Sequence, residues 1–147
     1  MSILETIAAE RRGQIDALKL ARPLASFIDE LPTGRSERFR KALLGDGIRI
    51  IAEIKHASPS KGAFTDKFAQ AEIAKLYRDG GASAISVLTE ERHFLGKFEY
   101  LPLVAESSGL PVLCKDFVVD EYQLYYARLM RADAILLIVR LLTRAQL

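Results

Sequence analysis

A chain of 147 residues, half of them hydrophobic, is long enough for one globular core and too short for two ordinary domains. Its 21 basic and 19 acidic residues give a net charge of +2. This near balance argues against a nucleic-acid-binding or membrane-surface protein, which would carry a basic stripe. With no signal-peptide pattern and no run of roughly 18 apolar residues, we expect a cytoplasmic protein that does not enter membranes.

The single cysteine and the two histidines form no disulfide or metal-binding pattern. Cys114 stands alone in an apolar stretch, so no internal disulfide can form and we expect a packed thiol. His56 and His93 have no nearby Cys or His partner in the sequence. We therefore predict no metal site.

The first third of the chain is predicted to be helical. Apolar side chains recur at helical spacing from residue 3 to about residue 20, and a short helical piece follows over 23–28. Ser36 is placed to cap a third helix, which ends at Leu44 before two glycines. Residues 1–47 are therefore predicted to form an N-terminal helical extension.

Beyond residue 47, predicted strands and helices alternate. Apolar stretches predict four strands, at 48–55, 82–89, 111–117 and 134–140. Helices are predicted at 69–79, 98–106 and 120–130, with Thr143 placed to cap a further one. Apolar strands separated by helices of this length indicate βαβ units and a parallel sheet. Because the chain stops one turn into that last helix, we interpret it as truncated.

The most informative stretch is the first predicted strand and the loop after it, IAEIKHASPSKG. Residues two apart on a strand point the same way, so Ile51, Glu53 and Lys55 share one face. A charge pair at the C-terminal end of such a strand indicates a site at the mouth of a parallel sheet or barrel. The alternative is a structural ion pair that caps the strand.

A second lysine closes the third predicted strand. Lys115 and Phe117 share a face of that strand, and Phe94 lies in the loop after the second strand. An apolar, aromatic mouth disfavours the charged form of a lysine amine unless a carboxylate such as Glu53 compensates. A lysine in this position can serve as a proton donor. The alternative is a lysine that reaches solvent or pairs with Asp116.

Several segments resemble the indole-3-glycerol-phosphate synthase family, the (β/α)8-barrel enzymes of tryptophan biosynthesis. They are PLASFIDEL, IAEIKHASPSKG, GGASAISVLTEERHF, PVLCKDFVVDEYQLYYARL and ADAILLIV. The resemblance covers essentially the whole chain, and it corresponds to the N-terminal half of the family's barrel. The implied fold class is α/β, a partial TIM (β/α)8 barrel. In it the N-terminal helices of 1–47 precede about four βα units of a parallel sheet over 48–147.

The resemblance also implies a reaction and its catalytic residues. The family closes the indole ring of 1-(2-carboxyphenylamino)-1-deoxyribulose 5-phosphate, a phosphorylated small molecule, and releases carbon dioxide and water without a cofactor. Lys115 matches the lysine of the KDF motif, the general acid that protonates the substrate carbonyl. Glu53 and Lys55 match the EIK pair, which orients the substrate and takes part in proton transfers.

Five further positions match substrate-binding residues of the family. Ser58 matches the serine of the SPSKG loop near the phosphate, and Lys61 lies on the same mobile loop. Phe94, Phe117 and Leu136 match the apolar wall around the anthranilate ring. The family's second catalytic carboxylate, on the fifth strand, and its main phosphate-binding loops lie beyond the matched region.

Two classes of function follow from these observations. In the first, the chain carries half of a lyase active site and is inactive until a C-terminal half-barrel joins it. In the second, it is a non-catalytic half-barrel that assembles with itself through its open edge strands. A third interpretation, another phosphate-handling barrel, is disfavoured by the joint presence of the KDF and SPSKG motifs.

Overall fold

The computed structural model describes residues 2–64 and 67–147. Within these ranges the α-helices are α1 (Ile3–Ala21), α2 (Arg38–Ala42), α3 (Gln70–Asp79), α4 (Glu91–Phe94), α5 (Tyr100–Ser108) and α6 (Tyr122–Leu129). The strands are β1 (Ile51–Ile54), β2 (Ala57–Ser58), β3 (Gly62–Ala63), β4 (Ala84–Leu88), β5 (Val112–Lys115) and β6 (Ala134–Ile135). Short 3-10 helices lie at Leu24–Ser26, Ile28–Glu30 and Val139–Leu141.

The centre of the fold is a four-stranded parallel sheet in the order β1-β4-β5-β6. Parallel neighbours need a crossover, and α3, α5 and α6 lie in the three successive crossovers. The small hairpin β2–β3 follows β1 directly. This α/β architecture is that of a partial (β/α)8 barrel, as predicted.

One face of the sheet carries the core. Alternate strand residues turn toward the helices and are buried there, namely Ile54, Ile85, Val87, Val112 and Cys114. Burial raises the pKa of the Cys114 thiol to about 12, so the prediction of a packed thiol is confirmed. The opposite face of the strands, which includes Glu53 and Lys115, is the inner face of the partial barrel.

The predicted amphipathic helix at the N-terminus is confirmed as α1. It begins with a reciprocal cap, in which the Glu5 N–H donates to the Ser2 hydroxyl (3.3 Å) and the Ser2 N–H donates to the Glu5 carboxylate (2.7 Å). Its buried side chains recur at helical spacing, at Ile7, Ala8, Arg11 and Ile15. Among the described residues, no helix is both long and apolar enough to cross a membrane.

The structure differs from the sequence prediction mainly at the two edges of the sheet. The strand predicted over 134–140 is shorter in the structure, where β6 covers Ala134 and Ile135 and these pair with Leu113 and Cys114 of β5. The Leu136 N–H still donates to the Cys114 carbonyl at 3.2 Å, and the chain then enters the 3-10 helix Val139–Leu141. Beyond Thr143 the chain forms a turn rather than a helix, and the Thr143 N–H donates to the Gln146 side chain at 2.8 Å. At the other edge β1 begins at Ile51, three residues later than predicted.

Candidate active site

Glu53, Lys55 and Lys115 meet at the carboxyl end of the sheet. Lys115 Nζ donates to Glu53 Oε2 at 2.5 Å, and Lys55 Nζ lies 3.1 Å from Glu53 Oε1. Glu53 comes from β1 and Lys115 from β5, so the two side chains reach toward each other across β4. One carboxylate is thus shared by two ammonium groups. The alternative pairing of Lys115 with Asp116 is wrong, because Asp116 pairs with Arg11.

The three charged side chains are partly shielded from water. Those of Glu53, Lys55 and Lys115 are 29%, 34% and 38% exposed. Burial by itself raises the pKa of Glu53, but hydrogen bonds from Lys115 and Lys55 outweigh it and hold that pKa below its ordinary value. The Tyr77 hydroxyl on α3 donates to the Glu53 carbonyl at 3.0 Å, which fixes the backbone beneath the carboxylate.

A small cavity of about 110 Å³ opens beside this cluster. It is lined by Glu53, Lys55, Leu88, Phe94, Lys115, Asp116, Phe117, Leu136 and Ile138. Six of the eight predicted site residues are in that set, and Leu88 and Ile138 are apolar walls that sequence reasoning missed. The rings of Phe94 and Phe117 lie 5.9 Å apart and are tilted by 35°. The cavity therefore combines an apolar slot for a flat ring with an ammonium group at its edge.

The other two predicted residues, Ser58 and Lys61, lie on the β2–β3 hairpin and do not line the cavity. The Lys61 N–H donates to the Ser58 carbonyl at 3.2 Å and closes the turn of the hairpin. The hairpin still contacts the charged cluster, because Lys55 Nζ lies 5.9 Å from the centre of the Phe64 ring.

Glu90 holds Phe94 in place, a role that sequence reasoning missed. Its buried carboxylate accepts three consecutive backbone N–H groups of α4, including that of Phe94, at 2.7 to 3.1 Å. A Cβ on the nearby Gly96 would lie 2.4 Å from the Leu88 carbonyl oxygen, so only glycine permits this close approach to β4. Glutamate is not a favoured N-cap residue, so the sequence carries no standard capping signal here.

A buried ion pair lies directly behind Lys115. Arg11 donates to Asp116 from Nη2 (2.6 Å) and Nε (2.9 Å), and each of these two side chains is 1% exposed. Asp116 also accepts the Thr89 hydroxyl and the Phe117 N–H, both at 2.8 Å. Because Asp116 stands between Lys115 and Phe117 in the chain, these bonds fix the backbone that carries both site residues.

The cluster contains side chains of the types that acid–base chemistry uses, a carboxylate and two ammonium groups. Within residues 2–64 and 67–147, no group of three or more His, Cys, Asp or Glu side chains is arranged to hold a metal ion. The carboxylate at the mouth is instead occupied by two ammonium groups. A carbonyl held beside the aromatic slot would lie within reach of a proton donor. A larger depression of about 510 Å³, against α6, lacks this charged cluster.

The chain is similar to proteins of one enzyme family. The family model described as indole-3-glycerol phosphate synthase matches residues 4–147. An indole-3-glycerol phosphate synthase of Desulforamulus reducens is 48% identical over an alignment that covers 99% of this chain and 56% of the relative. One of Thermoanaerobacter sp. is 43% identical over 140 residues, covering 95% of this chain and 54% of the relative. The tryptophan biosynthesis protein TrpCF of Salmonella typhi is 45% identical over 99% of this chain and 32% of its own length.

Proposed function

Because the chain belongs to the indole-3-glycerol phosphate synthase family, we propose that it carries the N-terminal half of the active site of such a synthase. The reaction closes the indole ring of 1-(2-carboxyphenylamino)-1-deoxyribulose 5-phosphate and yields indole-3-glycerol phosphate, carbon dioxide and water. This reaction is a step of tryptophan biosynthesis, and we propose that it takes place in the cytoplasm. In this proposal residues 1–47 are the helical extension and 48–147 the first half of the barrel.

The observation that supports this function best is the hydrogen bond of 2.5 Å between Lys115 and Glu53 at the edge of the aromatic slot. The Glu53 carboxylate accepts the hydrogen bond from Lys115 Nζ and holds this side chain at the mouth. An ammonium group held in this way is a general acid in its charged form, and a dry slot beside it orients the ring that must attack.

The residues divide the proposed chemistry between them. Phe94, Phe117 and Leu136 hold the anthranilate ring, so that its ring carbon faces the substrate carbonyl. As the new carbon–carbon bond forms, the carbonyl oxygen takes a proton from Lys115. The bond from the attacking ring carbon to its carboxylate then breaks, which releases carbon dioxide and restores the aromatic ring, and the hydroxyl formed from the carbonyl oxygen later leaves as water with a second proton. Glu53 and Lys55 orient the substrate and relay protons, while Ser58 and Lys61 approach its phosphate from the β2–β3 hairpin.

The chain needs further walls to hold the whole substrate. Its cavity of about 110 Å³ is well below the roughly 300 Å³ at which ligand pockets begin. The chain also spans only 32% to 56% of the length of the relatives described above. We propose that a C-terminal half-barrel supplies the second carboxylate and the phosphate-binding loops, and that the 147 residues alone are inactive.

Turnover of the purified substrate tests this proposal. The chain is assayed alone and after mixing with the separately produced C-terminal part of the Desulforamulus relative, and the indole product is followed by its absorbance. We expect no turnover alone, turnover in the mixture, and its loss with Lys115→Ala. Lys75→Ala, an exposed lysine on α3, serves as the matched control and should leave the rate unchanged.

Two outcomes would contradict the proposal. Turnover by the chain alone would overturn the statement that it carries an incomplete site. A mixture that forms a complex but makes no product, beside a complete relative that is active in the same assay, would overturn the function itself.

The second candidate function is a half-barrel that assembles with itself without catalysis. It is favoured by the two open edges of the sheet, at β1 and β6, and by the exposure of Ile48 (91%) and Ile50 (53%) beside β1. The same mixing experiment separates the two candidates, because only the first predicts a product.

A further inference from the structure

Ser86 presents an unpartnered hydroxyl inside the fold. Among the side chains that the structure describes, its Oγ is the one buried nitrogen or oxygen atom without a hydrogen-bond partner, and the residue is 6% exposed. A buried hydroxyl without a partner is destabilising, and its presence in a native structure calls for an explanation.

The position of Ser86 in the sheet limits what its hydroxyl can reach. Ile85 and Val87 point to the helices, so Ser86 points to the inner face of the partial barrel. Its register partners on the two neighbouring strands are Glu53 and Leu113. Its same-face neighbours along β4, Ala84 and Leu88, are apolar, and so is Leu113. Glu53 is therefore the neighbouring side chain on this face that can accept a hydrogen bond.

Glu53 has capacity for another donor. A carboxylate offers about four lone-pair positions, and the Glu53 oxygens accept from Lys115 and Lys55 in this structure. A serine hydroxyl rotates freely about its bond, and neighbouring strands lie only about 4.8 Å apart. Ser86 and Glu53 are register partners on adjacent strands, so rotation about side-chain bonds is the movement that their contact requires.

We propose that Ser86 is a positioning residue for Glu53, whose carboxylate it binds when Lys115 turns from Glu53 to the substrate. This inference rests on the proposed function, because it is the substrate carbonyl that draws Lys115 away. The hydroxyl is then unpartnered at rest and bonded during turnover. It keeps Glu53 charged and in place at the moment when the carboxylate loses its strongest donor.

The first test needs no turnover. Lys115→Met imitates the withdrawal of the lysine, and the pKa of Glu53 is measured by carbon-13 NMR in this variant with and without Ser86→Ala. A hydroxyl that donates to the carboxylate stabilises its charged form, so its removal should raise the pKa of Glu53 by about one unit. The same titration with Ser108→Ala is the control, since Ser108 is equally buried but donates to the Val104 carbonyl within α5.

Equal pKa values of Glu53 with and without the Ser86 hydroxyl would overturn the inference. Thermal unfolding provides a second check on the otherwise unaltered chain. Ser86→Ala should keep or raise the unfolding midpoint, because it removes an unpartnered hydroxyl, whereas Ser108→Ala should lower it. A midpoint lowered by Ser86→Ala would also overturn the inference, because the hydroxyl would then already be bonded at rest.

Kinetics of the assembled enzyme give a third readout. Ser86→Ala should lower kcat about tenfold with KM nearly unchanged, and the acid limb of the kcat profile should move to higher pH. An unchanged kcat and an unchanged acid limb would contradict the role. If the wild-type assembly makes no product at all, the proposed function fails, while the titration of Glu53 still decides the inference about Ser86.

Discussion

Glu53 accepts two charge-assisted hydrogen bonds, and these tie its protonation to the stability of the fold. Lys115 and Lys55 bind its two oxygens, and together they lower the pKa of Glu53 in spite of its partial burial. A carboxyl group whose pKa is lower in the folded chain stabilises that chain above the ordinary pKa of glutamate, about 4.3. This contribution is lost as the pH falls through the lowered value.

Glu53→Gln should therefore destabilise the chain at pH 7 and make little difference in acid. Urea unfolding at a series of pH values would measure this. The difference in the free energy of unfolding between wild type and variant should start to narrow below about pH 4.3 and close as the pH falls through the lowered pKa of Glu53. Glu106→Gln is the matched control, because Glu106 pairs with Arg131 at a site where both side chains are more than half exposed. If Glu53→Gln lowers the free energy of unfolding by the same amount at pH 7 and at pH 3, the Glu53 carboxylate does not stabilise the fold through its charge.

At the scale of elements, α1 is fixed to the loops that follow β4 and β5. Arg11 binds Asp116 and donates to the Thr89 carbonyl at 3.3 Å. About two helical turns further on, Lys19 binds Asp120 at 2.7 Å. The N-terminal helix thereby supports the backbone on which Lys115 stands.

Breaking the buried pair should be costly. Arg11→Met leaves the Asp116 carboxylate buried without its cation, and loss of one partner of such a pair lowers the free energy of unfolding by about 3–5 kcal/mol. Arg12→Met, at the next and exposed position of α1, should change it by less than about 0.5 kcal/mol. Denaturant unfolding of the two variants measures the difference, and equal effects would refute the role given to Arg11.

Helix α1 contains both a feature that the sequence could predict, its amphipathic spacing, and one that it could not, the burial of Arg11. Periodicity predicted α1, the parallel sheet and the shared face of Glu53 and Lys55, because these depend on local spacing. Local spacing could not predict that Arg11 is buried, because its partner Asp116 lies 105 positions away in the chain. The shortness of β6 and the cap made by Glu90 likewise depend on which elements adjoin them, which local spacing does not record.

At the scale of the molecule, the sheet ends in two open edges. Among the residues that the structure describes, β1 pairs only with β4, and β6 pairs only with β5. Beside the first edge Ile48, Ile50 and Ile51 are exposed, the last on the inner face with Glu53. Open, apolar strand edges favour pairing with another chain. A C-terminal half-barrel and a second copy of this chain would therefore compete for the same surface.

This competition predicts how the mass in solution changes. Light scattering of the chain alone should give a mass that rises with concentration above the 16.4 kDa of one chain. Ile51→Lys places a charge on the open edge and should shift the mass toward the monomer. Leu76→Lys, which replaces a 69% exposed leucine on α3, should leave it unchanged.

Addition of the C-terminal part should replace self-association by a one-to-one complex, and Ile51→Lys should weaken that complex as well. Both effects follow from the same physical cause, because either partner must cover the edge of β1 to bury its apolar side chains. A wild-type chain that stays monomeric at every concentration would show that these side chains need no cover. Assembly with the C-terminal part would then have to be driven from the β6 edge alone.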